Sequence, residues 1–193
     1  EDVQMKNASL SLYVVDAATG DPVYDYSAHR GLSPASSQKI FTAIASFDKL
    51  GKDFRFKTVL GYKGQIESGV LKGDLILKGY GDPTFGSWRY PGYKPEDVKN
   101  NILSSLKAAG IRAIDGDLLI DETNYSFNPV PGGWPWNDMG NYYGAGAWGI
   151  NWMENQVNIT YRGSSPGGSV KIQKIDPELV GVSLVNKMVA GPA

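Results

Sequence analysis

Two stretches of the chain carry a helical period, and the strand-like sequence around them does not alternate with them one for one. In the first, Ile40, Ile44 and Phe47, joined by Phe41, Ala43 and Leu50, recur every three or four residues and would line one face of a helix. Ser33 is the expected N-cap, Pro34 suits the first helical position, and Gly51 is a natural stop. In the second, over residues 94–109, Val98, Ile102 and Leu106 supply the stripe. Pro95, Glu96 and Asp97 fit its opening turn and Gly110 its end. Such a chain is expected to be α+β, because a doubly wound sheet needs strand and helix in regular succession.

The other apolar segments read as strands. Residues 9–16 and 23–28 flank the turn cluster Ala17-Ala18-Thr19-Gly20-Asp21-Pro22 and predict a hairpin. Residues 54–62, 70–80, 114–121, 150–161 and 170–175 predict further strands, and 129–149 a long loop rich in Gly, Trp, Tyr and Pro. Hydrophobic residues make up 41% of the 193 and charged ones 20%, enough apolar material for a packed core. The 19 basic and 20 acidic side chains leave a net charge of -1, which disfavours a nucleic-acid partner. The absence of cysteine excludes disulfides, zinc–thiolate sites, Fe–S clusters and a thiol nucleophile. His29 is the single histidine. No metal or organic cofactor is expected, and no window is long and apolar enough to span a membrane.

Ser-x-x-Lys occurs three times, as Ser36/Lys39, Ser46/Lys49 and Ser104/Lys107. The spacing places hydroxyl and amine on one helix face. Only Ser36 falls in an opening turn, where free N–H groups and the positive end of the dipole favour developing negative charge. The same field would favour the neutral, proton-accepting form of Lys39. Spacing and capping alone leave Ser36 open between a nucleophile and an ordinary first-turn serine. Gly144 to Gly149 matches G-x-G-x-x-G, but without the strand before it and the helix within it that a dinucleotide site needs. Trp134, Trp136, Trp148 and Trp152 would form either a sugar-stacking platform or loop anchors, and their Gly and Pro neighbours favour anchors.

The run Ser33-Pro34-Ala35-Ser36-Ser37-Gln38-Lys39, its apolar helix and Asp53-Phe54-Arg55-Phe56 resemble the active-site region of the class C penicillin-binding proteins. These are the D-alanyl-D-alanine carboxypeptidase/endopeptidases of peptidase family S13, the penicillin-binding protein 4 group. Gly69-Val70-Leu71-Lys72-Gly73-Asp74-Leu75, Gly81-Asp82-Pro83-Thr84, Ile114-Asp115-Gly116-Asp117, Trp134-Pro135-Trp136-Asn137-Asp138 and Tyr142-Tyr143-Gly144-Ala145 follow in the family's order.

The resemblance implies the N-terminal part of a serine β-lactamase/penicillin-binding-like domain over residues 1–58, then a mainly β inserted domain over 59–193. It implies Ser36 as acylated nucleophile, Lys39 as proton acceptor, and Asp138 with Tyr143 as the site for a free amine of the stem peptide. Peptidoglycan peptides and β-lactams would be its ligands, and the periplasm or cell envelope its location, with the leader absent from this chain. The family's Lys-Thr/Ser-Gly motif does not occur, and Ser126-Phe127-Asn128 matches its Ser-x-Asn only in letters. Turnover would then call on a C-terminal fragment of the same protein as partner. The alternative is a truncated, non-catalytic homologue acting as a cell-wall binding or structural module.

Overall fold

The computed structural model describes residues 2–125 and 128–192, so Ser126 and Phe127 of the Ser-x-Asn letters lie outside the described residues. The chain forms two compact units, Glu1–Phe54 and Arg55–Ala193. Its class is α+β, as the irregular order of helix and strand predicts.

In the first unit, β1 (Leu12–Val15) and β2 (Pro22–Tyr26) pair antiparallel as the expected hairpin. Asp16 closes the turn by accepting the N–H groups of Ala18 and Thr19 at 2.8 and 2.9 Å. Those two backbone donors hold its carboxyl below the usual carboxylate range. Helix α1 (Gln38–Leu50) ends on Gly51, whose φ of 76° suits glycine and whose N–H bonds the Phe47 carbonyl. Its start differs from expectation. A 3-10 turn, Ala35–Ser37, precedes it, and no side chain caps that turn, so Ser33 is not the N-cap. Ala35 sits at φ 45°, outside helical geometry, and the chain can wind only after it. None of the described residues of this unit is buried, and Ile40, Phe41, Ile44 and Phe47 are each at least 60% exposed.

The second unit is built on β4 (Val70–Gly79), which pairs antiparallel with β3 (Thr58–Glu67) along its whole length. On its other side β4 pairs in parallel with β5 (Ala113–Asp115) and β6 (Leu118–Asp121). Helix α2 (Pro95–Ala108) makes the crossover that parallel strands require. The Asp97 carboxylate caps it by accepting the Lys94 N–H at 3.1 Å. Leu71, Leu75, Val98 and Ile111 are at most 7% exposed and form the core.

The single strand expected over 114–121 is broken in two. A Cβ on Gly116 would stand 2.2 Å from the Gly73 carbonyl oxygen, and the Asp117 N–H turns aside to bond the Asp74 carboxylate. Only the end of the strand expected over 150–161 forms, as β7 (Asn158–Arg162), antiparallel to β8 (Lys171–Asp176). Residues upstream fold instead around Trp152–Asn155, where Met153, Glu154 and Asn155 have φ of 51°, 58° and 53°. Three consecutive left-handed residues other than glycine cannot belong to a strand.

Candidate active site

The 3-10 turn before α1 carries Ser36, and the first turn of α1 carries Lys39. The two side chains meet, with Lys39 Nζ donating to Ser36 Oγ at 2.9 Å. Both are open to solvent. Ala35, immediately before the serine, holds its positive φ without a glycine's freedom, and such backbone strain concentrates at functional sites. The other Ser-x-x-Lys pairs show no such contact. Lys49 turns to Asp48 at 3.2 Å, and Ser104 and Lys107 are exposed on α2.

In the second unit the turns Trp136–Gly140 and Tyr142–Gly144 present Asp138 and Tyr143. Their approach depends on Gly144, where a Cβ would stand 2.0 Å from the Asp138 carbonyl oxygen. The Tyr143 hydroxyl donates to Asp138 Oδ1 at 3.3 Å, and the Tyr142 ring meets the Tyr143 ring edge-on at 5.3 Å. Burial, then the Asp138 charge, push the Tyr143 phenol above its usual value, so it stays neutral and can donate. Within each pair, Ser36 with Lys39 and Asp138 with Tyr143, the structure brings the expected partners together.

The remaining motifs have structural uses. No helix opens within Gly144–Gly149. Asp115 and Asp121 face Lys72 and Lys78 across the parallel strands at 2.7 Å each, and Glu122 accepts the Ile150 N–H at 2.7 Å. Trp152 packs edge-on against Phe85 as an anchor, and Trp148 is half-buried, whereas Trp136 is 82% exposed. Among the described residues no group of three His, Asp or Glu side chains converges to hold a metal. No described helix is long and apolar enough to cross a membrane.

Sequence reading misses one cluster. Glu154 accepts the Ser87 hydroxyl and the single Arg89 Nε–H, which is shared between its two carboxylate oxygens at 2.9 Å each. Its partners lie 67 and 65 residues away, and no local pattern signals them.

The fold is similar to part of a penicillin-binding protein. The crystal structure of penicillin-binding protein 4 (dacB) from Haemophilus influenzae matches with a TM-score of 0.71 at 31% identity, covering 83% of this chain and 34% of that one. The same protein complexed with a novel β-lactam matches with a TM-score of 0.60 at 28% identity, covering 84% and 32%. The profile of the D-Ala-D-Ala carboxypeptidase 3 (S13) family matches residues 1–190, and the chain belongs to that family. D-alanyl-D-alanine carboxypeptidase DacB of Haemophilus influenzae is 35% identical over 117 residues, 61% of this chain and 22% of its own length. A D-alanyl-D-alanine carboxypeptidase of an Actinomadura species is 32% identical over 140 residues, 69% of this chain and 23% of its own. The chain thus spans less than a quarter of the length of these curated relatives.

Proposed function

We propose that this chain carries the acylating residues of a serine DD-peptidase acting on peptidoglycan stem peptides. The observation that carries the reading is the 2.9 Å contact between Lys39 Nζ and Ser36 Oγ, open to solvent at the start of α1. Family membership supplies the substrate class, the terminal D-Ala-D-Ala bond. In its unprotonated form the Lys39 amine takes the Ser36 proton as Oγ attacks the carbonyl carbon of that bond. The C–N bond breaks, the proton passes to the departing D-alanine nitrogen, and the acyl group stays on Ser36. Water then attacks the acyl carbon, giving a proton to the same amine, which passes it to Ser36 Oγ as the C–O bond breaks. The Ser36 N–H, in an opening turn, is suited to one oxyanion contact.

On this reading residues 1–58 open the penicillin-binding domain and 59–193 belong to the inserted one. Asp138 and Tyr143 receive an ammonium on the stem peptide, a carboxylate and a ring being a suitable pair for that group. β-Lactams acylate the same serine, and the protein works in the periplasm or cell envelope. Its second oxyanion donor and its Lys-Thr/Ser-Gly motif come from a further segment of the protein.

Incubation with a fluorescent penicillin tests this. A covalent label on the wild type that is lost in Ser36→Ala is expected. A folded protein that carries the further segment and still takes no label would overturn it in favour of a non-catalytic cell-wall module.

A further inference from the structure

A cleft of about 470 Å³ opens in the second unit between the segments around Gly81–Tyr90 and Tyr142–Gln156. Tyr90, Tyr125 and Tyr142, each 40% exposed or more, and the half-buried Trp148 give it aromatic walls. Among the described residues that line it, only Arg89 and Glu154 carry charge, and they neutralise each other at 2.9 Å. An anionic or cationic ligand would meet no net charge to bind it. Arg89 reaches Glu154 through Nε alone, which leaves its two terminal amino groups available to a ligand's oxygens.

The polar groups are also held in place. Glu154 is 16% exposed and gripped by Ser87 and Arg89, Gln156 Nε2 donates to it at 3.4 Å, and Asn155 Nδ2 is tied to the Gly146 carbonyl at 2.9 Å. The left-handed run Met153–Glu154–Asn155 supplies this arrangement at the cost of backbone strain. Locked planar polar groups beside half-exposed rings suit a neutral ligand with apolar ring faces and many hydroxyl or carbonyl oxygens.

We propose that this cleft is a saccharide subsite that takes N-acetylated amino-sugar units. That the units are N-acetylated amino sugars, as in the glycan strand of peptidoglycan, rests on the peptidase reading above. That the cleft takes a saccharide does not.

The probe is chitotetraose, a neutral N-acetylated glycan with no peptide, titrated into the protein and followed by calorimetry and tryptophan fluorescence. Saturable binding is expected, weakened at least tenfold in Tyr90→Ala and in Arg89→Lys with unchanged circular dichroism. Tyr90 is 47% exposed, so its truncation keeps the test valid should the Arg89 variant fail to fold. Unsaturable wild-type titration, unchanged affinity in Tyr90→Ala, or tighter binding of a free stem peptide than of the glycan would overturn the proposal. Glycan binding by a protein that no penicillin labels would remove the peptidase reading and leave this one standing. Penicillin labelling without glycan binding would do the reverse.

Discussion

Lys39 Nζ lies 2.9 Å from Ser36 Oγ, and Ala35, the residue just before that serine, has a φ of 45°. If the amine is the proton acceptor, its loss removes general-base assistance while the hydroxyl stays in place. Lys39→Ala is expected to slow penicillin acylation by about a hundred- to ten-thousand-fold. Stopped-flow labelling of variant and wild type measures this, and equal rates would show that the contact is not used.

Ala35 provides a separate test of strain. Glycine adopts its backbone freely and a β-branched residue does not. Ala35→Gly is expected to raise stability by up to about 1 kcal/mol, and Ala35→Val to lower it by more than that. Thermal unfolding of both variants checks the order, and Ala35→Gly less stable than Ala35→Val would contradict it.

The parallel strands β4 and β6 are clasped by Lys78 and Asp121, which sit opposite in register at 2.7 Å. The Lys78 ammonium, then the Thr123 hydroxyl and N–H, hold the Asp121 carboxyl down to about 2. An unfolded aspartate takes its proton near pH ~4. The folded form therefore binds that proton less readily, and the clasp contributes fully above about pH 4 and fades as pH falls towards 2. Asp121→Asn is expected to melt lower at neutral pH, with the gap from wild type closing under acid. A gap that stays constant between neutral pH and pH about 2 would remove the clasp.

Asp138 both accepts from Tyr143 and raises its phenol's titration, after burial. Asp138→Asn keeps the shape and removes the charge. It is expected to cost about tenfold or more in the preference for amine-bearing over acetylated peptides. It should also lower the alkaline titration of Tyr143, read as the difference spectrum against Tyr143→Phe. A wild type that treats the two peptides alike would remove Asp138 from amine recognition.

Local features were the legible ones. α2 is readable because Pro95 and Gly110 punctuate a clear period, and Ser36 with Lys39 because a spacing of three is a neighbour relation on one helix. Asp138 and Tyr143 carry no such period, and only the family's block order pointed to them. What sequence reading lost was decided by distant atoms. The Gly73 carbonyl leaves room only for glycine at position 116 and so splits β5 from β6. Ser87 and Arg89 grip the Glu154 carboxylate from 67 and 65 residues away, beyond the reach of any local pattern. The stripe on α1 was readable as amphipathic, but periodicity says that a face is apolar and not what covers it.

Within the β3–β4 pair, Gly64 and Gly73 stand opposite each other, with φ of 124° and 146°. A methyl on either would reach within 2.2 Å of the neighbouring main-chain oxygen. Even alanine, the mildest replacement elsewhere, would have to prise β3 from β4 there. Random mutagenesis of the second unit should therefore return almost no folded survivors altered at these two positions, while the open glycines 132 and 163, which need no positive φ, drift more freely.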